Sequence, residues 1–165
     1  MARTSYAIAL GSNRPGRHGG PRRELAAALA ALGGVVAVSP VLLTPPLGPS
    51  KRRFANAVAL IESAESPPAL LARLKRIERD FGRRRGQNWA ARVIDLDIIL
   101  WSGGAWASPG LTVPHALFRT RDFVLRPLAA IAPDWRDPLS QLRVRHLLAR
   151  LTRPAPALRG GGVGP

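Results

Sequence analysis

Short apolar runs and longer amphipathic stretches take turns along the chain. Residues 6–10 form an apolar run that stops at Gly11-Ser12-Asn13, which predicts a strand ending in a turn. A loop rich in Gly, Pro and Arg covers 14–20. Residues 21–32 start on a proline and close on Gly33-Gly34, the punctuation of a helix. Residues 35–43 are β-branched and apolar, a second strand, and the turn-rich Pro45-Pro46-Leu47-Gly48-Pro49 follows it. A third strand is expected over 54–62. Ser66-Pro67-Pro68 opens a helix running to about Phe81, an arginine-rich loop covers 82–91, and 93–101 is a fourth strand. A second loop leads to Leu111-Thr112-Val113-Pro114-His115. Residues 120–131 read as helical despite Pro127, and 139–151 as a last helix.

The order β-α-β-β-α-β predicts an α+β protein with a ferredoxin-like core: a four-stranded antiparallel sheet, helices packed on one face, and additional C-terminal helices. One domain is expected over 1–151. From Thr152 onward Pro and Gly dominate, so 152–165 reads as a flexible tail. At 165 residues with 46% hydrophobic content, the chain can bury one ordinary core.

Chemistry is narrowed by what the composition lacks. There is no cysteine, which excludes disulfides and thiolate metal sites, and His18, His115 and His146 are too scattered for structural zinc. No apolar run approaches the roughly 18 residues of a membrane span, and no leader pattern opens the chain, so the expected location is the cytoplasm. The net charge is +15, and all the basic residues except Lys51 and Lys75 are arginine. A polyanionic ligand would account for this excess. So would a general drift toward Ala, Arg, Gly and Pro, which are abundant everywhere in the chain. Where the arginines cluster therefore matters more than their number.

The most informative segment is Arg92-Val93-Ile94-Asp95-Leu96-Asp97-Ile98-Ile99-Leu100. In a strand, Ile94, Leu96, Ile98 and Leu100 face one side, and Asp95 and Asp97 face the other. Two adjacent carboxylates repel each other unless a cation lies between them, and magnesium takes such oxygen ligands. A solvated strand face paired with nearby arginines would show the same spacing. Arg83, Arg84, Arg85 and Arg92 bracket the entrance to this strand, while Arg119 and Arg121 follow His115; guanidinium forks match phosphate oxygens. Trp89 sits within the arginine loop, either to stack on a flat ligand or to anchor the loop. Neither a G-x-x-x-x-G-K-[ST] loop nor a G-x-G-x-x-G fingerprint is present, so a nucleotide would be held by arginines and metal. Phe54 and Asn56 share a strand face and suit a planar heterocycle, one by stacking and the other by hydrogen bonding its edge. The run from Thr44 to Gly48 would wall that pocket.

Taken together, Ala9-Leu10-Gly11-Ser12-Asn13, Thr44-Pro45-Pro46-Leu47-Gly48, Phe54-Ala55-Asn56-Ala57, the Asp95/Asp97 strand, Leu111-Thr112-Val113-Pro114-His115 and Arg121-Asp122-Phe123 resemble the 6-hydroxymethyl-7,8-dihydropterin pyrophosphokinases of folate biosynthesis. The resemblance covers residues 5–151. It implies a transferase that moves diphosphate from ATP to the pterin hydroxymethyl group and releases AMP, with two Mg2+ ions on Asp95 and Asp97. It implies catalytic roles for Arg83, Arg92, Asp95 and Asp97, and an ATP site lined by Glu78, Arg85, Trp89, Ile98, Thr112, His115 and Arg121. It also implies a pterin pocket of Thr44, Pro45, Leu47, Phe54, Asn56 and Phe123. Phe54 stands where tyrosine is usual in the family, Lys75 replaces a glutamine, and Gly110 stands where an arginine can occur.

Two other readings are weighed against this one. A basic RNA-binding sheet would display aromatics in a K/R-G-F/Y-type motif, which is lacking here, and would not carry two aspartates on the same face. A catalytically idle homologue would not need both aspartates, Arg92, His115 and Asn56. The expected partners are small molecules only, with no nucleic acid or membrane, and the expected state is a monomer.

Overall fold

In the computed structural model, which describes residues 2–45, 53–82 and 93–154, the sheet is built around β1 (Thr4–Ser12). This strand pairs antiparallel with β4 (Phe54–Ser63) on one side and β5 (Asp95–Trp101) on the other. Beyond β4 lie two short strands, β2 (Val35–Val38) and β3 (Leu42–Thr44), both antiparallel to it. The sheet therefore has five strands where four were expected. The reason is Pro40, which has no N–H to give to the ladder. At the break, Ser39 donates its backbone N–H to the Val58 carbonyl at 2.9 Å, and its hydroxyl accepts the Val58 N–H at 2.9 Å. At this break the Val58 N–H is thus satisfied by a side-chain oxygen.

Helices α1 (Pro21–Leu32) and α2 (Pro67–Gly82) cover one face. Leu25, Ala28 and Leu32 of α1, and Leu70, Leu74, Ile77 and Phe81 of α2, recur at helical spacing. They bury against Tyr6, Ile8, Leu10, Leu96 and Ile98. Each fully buried leucine contributes roughly 1.5–3 kcal/mol. At the end of α1, Gly34 has φ of 65°, and a Cβ there would meet the Glu62 carbonyl oxygen, so the chain can reverse into β2 only on glycine.

The expectation of helices on one face is corrected by α3 (Asp122–Ile131) and α4 (Val144–Thr152), which cover part of the opposite face. Val124, Leu125, Leu128, Val144 and Leu147 bury there against Ala7, Val58, Ile99 and Leu100. Leu100 was expected with Ile98 on the α1/α2 side. A bulge between Ala7 and Ile8 leaves Ile99 as an extra residue and turns Leu100 to the α3/α4 side. Helix α3 runs through Pro127 as expected, with the loss of one helical hydrogen bond offset by its buried apolar face.

Two further elements differ from the sequence reading. A hairpin of β6 (Trp106–Ser108) and β7 (Leu111–Val113) occupies what was read as loop. Its turn is Pro109-Gly110, and Gly110 has φ of 77°, which accounts for glycine at that position. The last helix begins at Val144 rather than near 139, because Asp137 organises the residues before it. This fully buried carboxylate accepts Arg119 Nε at 2.5 Å and Nη2 at 2.7 Å, the Ser140 hydroxyl at 2.7 Å and the Leu139 N–H at 3.1 Å. Local bonds of this kind compete with helix formation.

Burial alone would raise the Asp137 carboxyl, but the bonds from Arg119, Ser140 and the Leu139 amide outweigh it and hold the group at about 2. Its contribution, about 2 kcal/mol, is fully present above the ordinary carboxyl range and is lost as pH falls from about 4 to about 2. The melting temperature of Asp137→Asn should therefore lie well below wild type at neutral pH, with the gap closing near pH 2. A gap that stays constant down to pH 2 would contradict this.

Candidate active site

One row of residues crosses four strands: Leu42 on β3, Asn56 on β4, Gly11 on β1 and Asp95 on β5. Alternation along β4 puts Phe54 on the same face as Asn56, and alternation along β5 puts Asp97 beside Asp95. At about 3.3 Å per residue the two aspartates are separated by about 6.6 Å along the strand. Helix α3 covers only part of this face. A cavity of about 680 Å³ remains over the rest, lined by Thr44, Pro45, Phe54, Asn56, Asp95, Asp97, His115, Arg121 and Phe123, among others. The Arg121 guanidinium lies 5.7 Å from the Phe123 ring centroid.

His115 enters the site from the segment after β7. Its backbone N–H donates to the Ile99 carbonyl at 3.0 Å, and its Nδ1 accepts the Leu117 N–H at 3.1 Å. An Nδ1 that accepts leaves the neutral ring with its proton on Nε2. Burial holds the imidazole below the usual histidine range; Asp97 pulls it upward and Arg121 depresses it further. The ring is thus a neutral donor beside a carboxylate.

Not every expected residue faces the cavity. Ile98 packs in the α1/α2 core, and Thr112 is exposed on β7. Glu78 is buried on α2, where its Oε1 accepts the Leu96 N–H at 2.9 Å and its Oε2 lies 3.4 Å from Lys75 Nζ. Among the described residues β5 is the outermost strand on its side, so Glu78 supplies an acceptor that no neighbouring strand there offers. It thereby fixes the backbone between the two aspartates. Glu78, Ile98 and Thr112 do not line the cavity. Leu47, Arg83, Arg85, Trp89 and Arg92 lie outside the described residues.

Gly11, Ala9, Ile99, Asp122 and Val124 also line the cavity, and the sequence reading gave none of them a role in the site. Gly11 was read as the start of a turn, but β1 continues through Ser12. The alternation Ala7-Ala9-Gly11, small residues on the face that carries the aspartates across the register, was the signal for the first two.

Among the described residues no group of three or more His, Cys, Asp or Glu is placed to hold a metal. The donor set is a carboxylate pair, Asp95 exposed and Asp97 half-buried. Such a pair fits a hard divalent ion that completes its shell with water and phosphate oxygens. It does not fit a metal held wholly by protein. No helix among the described residues is long and apolar enough to cross a membrane.

Comparison with known proteins shows the family and the fold. The chain is 42% identical over 137 residues to the 2-amino-4-hydroxy-6-hydroxymethyldihydropteridine pyrophosphokinase of Pseudomonas aeruginosa, covering 79% of this chain and 82% of that one. It is 41% identical over 145 residues to the enzyme of the same name from Haemophilus influenzae, covering 84% and 88%. Its fold matches a solved Plasmodium falciparum HPPK-DHPS, wild type, with a TM-score of 0.72 at 12% identity, over 90% of this chain and 41% of that one. The model of the 7,8-dihydro-6-hydroxymethylpterin-pyrophosphokinase family matches residues 7–133, and the chain belongs to that family.

Proposed function

We propose that this chain transfers diphosphate from ATP to the hydroxymethyl oxygen of 6-hydroxymethyl-7,8-dihydropterin. The observation that carries this reading is the one cavity face on which an aromatic-and-amide pocket on β4 and a carboxylate pair on β5 stand on either side of β1. Phe54 and Phe123 hold the pterin ring between them, and the buried Asn56 amide pairs with the ring's polar edge, with Thr44, Pro45 and Leu47 closing that end. Stacking confines the ring to one plane, and the amide fixes its rotation within that plane.

ATP lies along β5. Ile98 has the same strand parity as Leu96, so its backbone groups aim at the outer edge, where Glu78 and Thr112 flank a place for the base. His115 and Arg121 then reach the phosphates. Asp95 and Asp97 would hold Mg2+ ions, two by the family resemblance, and Mg2+ bound there would neutralise phosphate charge and favour ionisation of the alcohol.

The alcohol oxygen attacks the β-phosphorus, a C–O–P bond forms, the bridge between the α- and β-phosphorus breaks, and AMP leaves. The alcohol proton passes to solvent. No covalent enzyme intermediate is needed, and catalysis is chiefly positioning and charge stabilisation. His115, neutral with its proton on Nε2, donates to a phosphate oxygen. Arg83 and Arg92 meet the charge that develops on the leaving phosphate, and Arg85 and Trp89 complete the nucleotide site. If β2 and β3 are taken as one interrupted strand, the order of elements is the ferredoxin-like one. The chain acts as one domain over 1–151, as a monomer and without nucleic acid.

AMP release from ATP tests this reading. AMP should form only when both Mg2+ and 6-hydroxymethyl-7,8-dihydropterin are present, and chelation by EDTA should stop it. A folded protein that binds ATP and releases no AMP under these conditions would point to the idle-homologue reading.

A further inference from the structure

Gly11 is the residue on which the two halves of the site meet. It pairs across the sheet with Asn56 on one side and Asp95 on the other, and it lines the cavity floor between them. Adjacent strands are about 4.8 Å apart, so Gly11 lies about that far from the amide column and from the carboxylate column. A glycine inside a paired strand weakens it, and usually marks a bend, a bulge or a close approach of ligand.

Conformational freedom does not explain this glycine. Among the described residues five other glycines have positive φ, but Gly11 is not one of them, and it lies in unbroken register with both neighbours. Space does explain it. A Cβ built on Gly11 would come within 3.1 Å of Asn56 Oδ1, closer than ordinary van der Waals contact. The same Cβ would project from the floor of the cavity into the gap between the two columns.

We propose that Gly11 is a specificity-determining residue: its missing side chain opens the passage through which the substrate's alcohol arm runs from the ring, at Asn56, to the phosphates, at Asp95. The inference rests on the pterin reading above. The methylene, the oxygen and the oxygen's bond to phosphorus together span nearly one strand spacing, so the arm lies over Gly11 while the ring lies over Phe54 and Asn56. Selection at Gly11 therefore acts on the arm and not on the ring.

The test compares 6-hydroxymethyl-7,8-dihydropterin with 7,8-dihydropterin, which has the same ring and no arm. Binding is measured with Mg2+ and an α,β-methylene analogue of ATP. Gly11→Ala should bind the hydroxymethyl compound at least ~10-fold more weakly than wild type, the effect of one methyl-sized mismatch in a fitted site. It should bind the armless compound within about threefold of wild type, since Asn56 Oδ1 has to give by only a few tenths of an ångström and that cost falls on both ligands alike. Equal losses for both ligands would overturn the proposal and assign Gly11 to the support of the Asn56 amide. No loss for either would overturn it as well. If Gly11→Ala does not fold, wild type answers with a pterin whose arm is a dimethyl carbinol. That ligand adds bulk over Gly11 from its own side, and affinity equal to the hydroxymethyl compound's would overturn the proposal. Wild type that binds neither the hydroxymethyl nor the armless pterin would instead remove the pterin reading itself.

Discussion

Asp97→Ala should lower the rate of AMP formation at least ~10³-fold, the scale of removing a preorganised charge stabiliser from an active site. The structure makes this a clean experiment. Asp97 is half-buried on the open face of β5, opposite Ala9 in the register and within electrostatic reach of His115. It shares that face with Asp95, and two like charges at this spacing repel. Removing one relieves repulsion in the free protein, so the melting temperature should hold or rise while turnover collapses. Near-normal turnover in Asp97→Ala would remove the carboxylate pair from the account.

The second large effect is expected at Phe123. Truncation to alanine should weaken pterin binding by roughly 10- to 100-fold, the worth of stacking a flat heterocycle on one aromatic ring. Affinity for the ATP analogue should be unchanged. Phe123 is half-buried at the start of α3 and lines the cavity, whereas Phe118, fully buried five residues earlier, does not. Phe118→Leu therefore serves as the contrast: it should lower the melting temperature and leave pterin affinity alone. Unchanged pterin affinity in Phe123→Ala would make that ring a core residue and nothing more.

Much of this site was legible because strand parity is a rigid rule. Asp95 and Asp97 had to share a face, as did Phe54 and Asn56, whichever residues covered the other side. What the sequence did not reveal was where the parity slips. Nothing in Ile98-Ile99-Leu100 marks which isoleucine is the extra residue of the bulge, since all three are apolar and either face would bury them. The register that aligns Asn56, Gly11 and Asp95 was likewise hidden, because it depends on pairing between segments more than 40 residues apart.

Other misses had visible signals. Pro40 inside an apolar run was sufficient reason to split that strand, and Pro109-Gly110 between two short apolar triplets was sufficient for a hairpin. Asp137 was harder to see. Its effect on the start of α4 depends on Arg119, a residue the sequence placed among phosphate ligands and the structure pairs with a buried carboxylate. An arginine near a nucleotide site is ambiguous until its partner is known, and here the partner is 18 positions away.

The most direct test of the central claim is phosphorus NMR of the complete reaction mixture with wild-type protein, Mg2+, ATP and 6-hydroxymethyl-7,8-dihydropterin. Attack at the β-phosphorus predicts AMP and a pterin-linked diphosphate in equal amounts, with no ADP. ADP together with a pterin monophosphate, or ADP together with free phosphate, would contradict it.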